Sequence, residues 1–123
     1  MIKYQGVTIE RDAQTLFENI DFRVEEGEFI YLIGKVGTGK SSLLKTIYAE
    51  LPVADGYARV FDYDLRKIKR SQIPYLRRSL GIIFQDFQLL TDRTVYDNLE
   101  FVLKATGWKS KQERDERIHQ VLT

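Results

Sequence analysis

The sequence predicts an α/β fold, and three observations predict it. A continuous apolar run, Phe29-Ile30-Tyr31-Leu32-Ile33, is bounded by turn residues, the pattern of a strand buried on both faces of a parallel sheet. A stretch with glycine at positions 34, 37 and 39 follows that run directly, and helical spacing follows the glycines. The rest of the chain divides into short strand-like segments and helices with recognisable caps.

The elements are expected in this order. Ile2 to Ile9 reads as a first strand, weakly alternating and interrupted by Gly6. Leu16 to Val24 holds a second, with Phe17, Ile20, Phe22 and Val24 apolar and Glu25-Glu26-Gly27-Glu28 as the turn after it. The run Phe29–Ile33 is the third. Leu43, Leu44, Ile47 and Leu51 then fall on one helical face, with Pro52 as the stop. Asp55-Gly56 turns the chain into a strand from Tyr57 to Phe61. Ser71 to Leu80 reads as a helix with Pro74 in its first turn and Gly81 as its C-terminal cap, and Ile82-Ile83-Phe84 as a short buried strand. Thr94 with Asp97, and Ser110 with Glu113, are two capping boxes that open two helices, the first ended by Gly107. The last helix reaches Thr123 with no stop signal, so the expectation is a cut through a domain.

Composition narrows the function. The apolar share of 43% and charged share of 30% fit a globular chain, and 123 residues suffice for one domain. A formal net charge of +1 argues against a non-specific nucleic-acid binder or a polybasic membrane anchor. With no cysteine there is no disulfide framework and no thiolate metal site. The longest apolar run is far shorter than the roughly 20 residues that cross a bilayer, and no leader pattern opens the chain, so a cytoplasmic location is expected.

The chemistry lies in Gly34-Lys35-Val36-Gly37-Thr38-Gly39-Lys40-Ser41, which matches the P-loop pattern G-x-x-x-x-G-K-[ST]. Gly34, Gly37 and Gly39 permit backbone angles closed to other residues and leave room for phosphate. Backbone N–H groups turned inward form an anion cradle at the positive end of the following helix. Lys40 is placed to neutralise the β- and γ-phosphates, and Ser41 to offer its hydroxyl to magnesium. Ser42 follows in the same turn, within reach of the α-phosphate region. A chance match has odds of about one in a few hundred in a chain this long, and the strand before and helix after supply the context the motif requires. The expected ligand is a purine nucleotide, ATP with magnesium, held by residues 34–42.

A P-loop alone does not name a reaction. Leu80-Gly81-Ile82-Ile83-Phe84-Gln85, followed by Thr94-Val95-Tyr96-Asp97-Asn98-Leu99, resembles the Q-loop region of ABC-type ATPases, at the family's spacing from Lys40. The resemblance runs over essentially the whole chain and corresponds to the first half of a family nucleotide-binding domain. It implies a P-loop NTPase core with an antiparallel β-subdomain over residues 1–84, then the Q-loop and the start of a helical subdomain over 85–123. It further implies that Gln85 contacts magnesium and the attacking water, so Lys40 and Gln85 are the expected catalytic residues and Ser41 and Gln85 the metal contacts. The stretches 76–90 and 92–98 are similar to the branch of the family that serves cell division with an integral membrane partner. The lipoprotein-release and macrolide-export branches are alternatives, as is a nucleotide-switched binding module. Family members work as homodimers, at the inner face of the plasma membrane through their partner.

Several family features are missing. There is no L-S-G-G-Q string, no apolar run ending in Asp-Glu and no later switch histidine. A chain cut before the signature and metal-binding carboxylate is therefore expected to bind ATP without appreciable hydrolysis. Its sheet, short of later strands, is expected to leave apolar edges open. The family also places an aromatic residue near the end of the first strand to stack on adenine. Ile9, Glu10 and Arg11 stand there instead, with Arg11 a candidate to stack on the base and Tyr4 too early for that role.

Other candidates read as structural. Asp86 does not end its strand directly, since Gln85 intervenes, and reads as a polar loop residue. Asp62 and Asp64 read as a solvated turn. Lys67, Lys69, Arg70, Arg77 and Arg78 form a basic run around Tyr75, read as a solvated helix face, with contact to acidic headgroups or a membrane partner as the other reading. His119 is expected at the surface and Trp108 partly packed.

Overall fold

A computed structural model describes residues 1–123 and divides them into two compact units, Met1–Gly81 and Ile82–Thr123. No helix is long and apolar enough to cross a membrane.

The first unit is built on a four-stranded antiparallel sheet of β1 (Ile2–Arg11), β2 (Gln14–Val24), β3 (Asp55–Val60) and β4 (Tyr63–Asp64), in the spatial order β2-β1-β3-β4. Two helices accompany it, α1 (Lys40–Ile47) and α2 (Ile73–Arg78). Strands β1 and β2 are joined by a two-residue turn, with Arg11 opposite Gln14 and both Asp12 and Ala13 at positive φ (53° and 61°). Two positive angles in succession match the twist of the flanking strands, but Ala13 lacks the side-chain chemistry that announces such a turn.

The weak alternation of β1 has a physical cause. The register slips between Tyr4 and Val7, at Gly6 (φ 59°). The extra residue brings Tyr4, Val7 and Ile9 to one buried face although the first two are three apart. They meet Ala58 and Val60 of β3, Leu43 of α1, Leu76 of α2, and Val53 and Leu65 from the connections. Gly56 (φ 91°) lies so close to the bulge that a Cβ there would stand 2.3 Å from the Gly6 carbonyl oxygen.

Four expectations change. Helix α1 ends at Ile47 rather than running to Pro52, because Ala49 adopts a left-handed angle (φ 60°) and turns the chain. Its buried face is Ser42, Leu43 and Thr46, while Leu44 is half exposed. Phe29–Ile33 forms no strand: no segment pairs with it, and Phe29, Tyr31 and Ile33 are 81%, 78% and 89% exposed. Ile82–Phe84 likewise forms no strand, and Ile83 is exposed. A parallel strand takes its hydrogen bonds from neighbours, so an apolar run without them stays an irregular segment. Gly81 does not adopt the left-handed angle of a helix cap; α2 ends at Ser79.

The second unit holds α3 (Val95–Ala105) and α4 (Lys111–Leu122). The N-cap half of each capping box forms: Thr94 Oγ1 accepts from Asp97 N at 3.1 Å, and Ser110 Oγ from Glu113 N at 3.4 Å. Gly107 (φ 97°) closes α3 as expected. The two helices are tied by Arg114, which is buried and donates to the Trp108 and Lys109 carbonyls at 2.9 and 2.8 Å and to Glu100 at 3.5 Å. Tyr96 donates to Asp115, which also pairs with Lys111 at 2.9 Å. Val95 and Val102 are exposed, so the inward face of α3 is Leu99 and Leu103, each half-buried. His119 is exposed and Trp108 partly covered.

Candidate phosphate-binding site

The loop Gly34–Gly39 leads into α1, and Gly39 serves as its N-cap in a left-handed conformation (φ 92°) with no side chain capping the first turn. The first intrahelical bond to form there is Leu43 N to Gly39 O at 3.0 Å. The N–H groups of Lys40, Ser41 and Ser42 therefore stand at the helix mouth without intrahelical acceptors, and no acidic side chain occupies that turn. Gly37 is also left-handed (φ 84°). The loop braces itself through Thr38, whose N–H and hydroxyl both donate to the Lys35 carbonyl, at 3.2 and 2.7 Å.

Lys40 folds back across the loop and donates from Nζ to the Gly34 carbonyl. A Cβ at Gly34 would stand 3.0 Å from Thr38 Oγ1 and 3.4 Å from Lys40 Cδ, so glycine keeps the space inside the loop open. Ser41 is exposed and its hydroxyl faces no protein acceptor, whereas Ser42 is buried and accepts from Arg11 Nη1 at 3.4 Å. Lys35 and Val36 are exposed at the loop's tip. Lys40, Ser41 and the three glycines are thus gathered at one helix end. Ser42 points into the protein, leaving its N–H rather than its hydroxyl at the mouth.

The helix that carries the loop is fixed to the sheet by a buried polar contact. Thr46 Oγ1 lies 2.6 Å from both Tyr4 OH and the Leu43 carbonyl. With the Thr46 proton on Leu43, Tyr4 is the donor. Burial pushes the Tyr4 hydroxyl up to about 12, against Thr46, which can turn its own proton toward a phenolate. The far end of α1 is held by Arg77 of α2, which donates to the carbonyls of Tyr48 and Ala49 at 2.9 and 3.5 Å. Sequence reasoning misses both contacts: it weighs Tyr4 only as a base-stacking residue and sets it aside, and it reads Arg77 as part of a solvated helix face.

Gln85 belongs to the second unit, in an exposed turn closed by Phe87 N on the Phe84 carbonyl at 3.4 Å. Phe87 and Gln88 both have positive φ (59° and 54°), and the Gln88 side chain donates to Asp86, which is therefore a loop acceptor as expected. Asn98 of α3 grips the same connection, accepting from Leu90 N at 2.8 Å and donating to Leu90 O at 3.0 Å. Asp62 and Asp64 serve the surface turn, on Arg59 and on the Arg66 N–H. Nowhere does the chain gather three or more His, Asp or Glu side chains able to hold a metal.

The profile of the ABC transporter family matches residues 17–123. The chain belongs to this family. Its homologues include the cell division ATP-binding protein FtsE of Streptococcus pneumoniae (strain D39), 35% identical over 111 residues that make up 90% of this chain and 48% of that protein. FtsE of Escherichia coli K12 is 40% identical over 108 residues, 87% of this chain and 49% of the relative. FtsE of Bacillus subtilis is 41% identical over 88 residues, 72% and 39% respectively. The chain thus spans about half the length of the curated relatives it matches. Among solved structures, the ATP-binding cassette MJ0796, a dimer in a post-hydrolysis state bound to ADP and Pi, superposes with a TM-score of 0.80 at 26% identity, over 98% of this chain and 55% of that one. CbiO1 of Clostridium perfringens, part of the ABC transporter complex cbiONQ, gives 0.82 at 26% identity, over 98% and 48%. The α/β fold is that of an ABC ATPase cassette.

Proposed function

We propose that this ABC-family chain binds ATP with magnesium at residues 34–42, as the ATP-binding part of an FtsE-like ATPase that acts on an integral membrane partner in cell division. The observation that carries the reading is the Lys40 ammonium closed over a loop whose helix mouth presents three N–H groups without helical acceptors. In the free loop that ammonium rests on the Gly34 carbonyl, and phosphate oxygens are better acceptors for the same cation. Gly34 and Gly37 leave the backbone approachable, and the N–H groups of residues 40–42 accept negative charge with no reorganisation. Ser41 offers the one exposed hydroxyl at the mouth, suited to a divalent cation that takes its other oxygens from phosphate and water. Bound magnesium would supply charge neutralisation across the β- and γ-phosphates.

Hydrolysis by the full-length protein is proposed to use Gln85 to contact metal and attacking water, Lys40 to stabilise charge on the transferred group, and a homodimer to complete two sites. A dimer is how MJ0796 was solved. The partner is proposed to be an FtsX-like membrane protein, placing the ATPase at the inner face of the plasma membrane. The 123-residue chain itself is expected to bind ATP with turnover well below about 1 s⁻¹, the low end for phosphoryl-transfer enzymes.

The test is a titration of the chain with labelled ATP and magnesium, wild type against Lys40→Ala. Loss of one charge-assisted phosphate contact, about 2 kcal/mol, weakens binding roughly thirty-fold. An unchanged curve rejects the site. For Gln85, the full-length Gln85→Ala protein should keep ATP affinity and lose turnover; a parallel loss of both would show a binding role instead.

A further inference from the structure

The phosphate loop leaves unused a second concentration of positive charge. From Leu65 to Gly81 the chain carries Arg66, Lys67, Lys69, Arg70, Arg77 and Arg78 and no Asp or Glu, in a protein whose net charge is only +1. The neighbouring carboxylates are already engaged: Asp55 on Arg66 at 3.3 Å and Asp64 on the Arg66 N–H at 3.0 Å, which takes Arg66 out of the free charge, and Asp62 on Arg59 at 3.2 Å. Arg77 is spent on the end of α1. Lys67, Lys69 and Arg70 remain exposed and make no ion pair, whereas Arg23, Arg59, Arg66, Lys104, Lys111 and Arg114 all do.

These three cations sit on a rigid support. Leu65 and Leu76 are in the core, and Ile68 and Leu80 pack against it. The turn between is locked by Gln72, whose side chain accepts from Lys69 N at 2.9 Å and whose N–H donates to Lys69 O at 2.8 Å. Beside it Tyr75 is 58% exposed, with the Arg78 guanidinium 5.0 Å above its ring.

From this arrangement we infer that the 65–78 turn and helix are a docking surface for the anionic headgroups of a lipid bilayer. A flat anionic surface asks for a compact group of unpaired cations and a ring amphipathic enough to sit at headgroup depth. A single-stranded nucleic acid asks for free aromatic faces along a cationic groove; the one exposed ring here already carries Arg78. Each unpaired cation contributes about five-fold in partitioning, so three contribute on the order of a hundred-fold. The surface lies apart in sequence from the phosphate loop, and its lipid contact needs no nucleotide.

The test is sedimentation of the chain with vesicles of phosphatidylcholine alone or with about a third phosphatidylglycerol, at about 0.1 M and 1 M salt. Binding should require the anionic lipid and be released by high salt. It should fall by at least on the order of a hundred-fold in Lys67→Glu/Lys69→Glu/Arg70→Glu, which removes three cations and adds three anions, and hold in a control reversing Arg93, Lys109 and Arg117. Circular dichroism checks that each variant keeps the wild-type fold. Equal binding to neutral vesicles, insensitivity to the triple reversal, or equally tight competition by an oligonucleotide would each overturn the inference. ATP affinity, measured on the same triple variant, should match wild type. A chain that binds lipid but not ATP would reject the nucleotide reading and leave the lipid one standing.

Discussion

Gly56 and Gly37 show that the same residue type at similar angles does two different jobs. Both are left-handed, at φ 91° and 84°. A Cβ on Gly37 would meet nothing within 4 Å, whereas one on Gly56 would stand 2.3 Å from Gly6 O and 2.7 Å from Val7 Cα. Those neighbours are backbone of the central strand and have nowhere to go. Gly56→Ala is therefore expected to lose about 3 kcal/mol or more, combining the left-handed penalty with an unrelieved overlap. Gly37→Ala should lose only about 1 kcal/mol of stability, and its larger effect should fall on ATP affinity. Thermal unfolding followed by circular dichroism separates the two. A Gly56→Ala protein that melts with wild type would contradict the close approach of β3 to the β1 bulge. The sequence made the phosphate glycines legible, because motif spacing names them. Gly56 was read only as a turn residue, since its partner, Gly6, lies fifty positions away and nothing local records the contact.

At the scale of elements, capping chemistry was readable because it is local: Thr94 with Asp97 and Ser110 with Glu113 each lie within one helical turn. The end of α1 was not readable, because it depends on Arg77, which lies in another helix. There Ala49 takes a left-handed angle that favours glycine, and Arg77 satisfies the carbonyls of Tyr48 and Ala49. Ala49→Gly should stabilise the chain by about 1 kcal/mol, and Arg77→Ala should destabilise it by a similar amount, so the double variant should unfold near the wild-type urea midpoint. Failure of Ala49→Gly to raise the midpoint would refute this account of the helix end. The α3–α4 contact makes a different, pH-dependent prediction. The hydrogen bond from Tyr96, then that from Lys111, holds the Asp115 carboxyl below its usual range, and the same contacts raise Tyr96 and Lys111. A lowered carboxyl stabilises above its unfolded value, about 3.9, and that contribution is lost as acid protonates it; the raised groups contribute below about 10 and lose their effect in base. The contact should thus operate between roughly pH 4 and 10. Trp108 fluorescence followed downward from about pH 7 to below about pH 3 should show an acid transition that Asp115→Asn removes. An identical acid limb in both proteins would place the transition elsewhere.

For the whole molecule, the informative mismatch is between apolar pattern and paired structure. Phe29–Ile33 has the composition of a strand buried on two faces, yet no strand lies beside it, and Phe29, Tyr31 and Ile33 are more than three-quarters exposed. Periodicity records what surroundings a segment is suited to and says nothing of whether a neighbour is present. That is why this run was legible as a strand and is not one here. Such a segment combines high β-propensity, no charge and unpaired backbone, the features that lead one chain to pair with another. The chain is expected to self-associate through it at micromolar concentrations, growing with concentration in sedimentation velocity. Charges on the segment should oppose that pairing, so Tyr31→Lys/Ile33→Lys should shift the distribution toward monomer while the sheet of the first unit keeps its circular dichroism signature. A wild-type chain that sediments as a monomer across the range would show that the exposed run does not drive association. Association unchanged by the two lysines would move the contact to another surface, with the exposed apolar side chains around Ile83 and Phe87 as the next place to look.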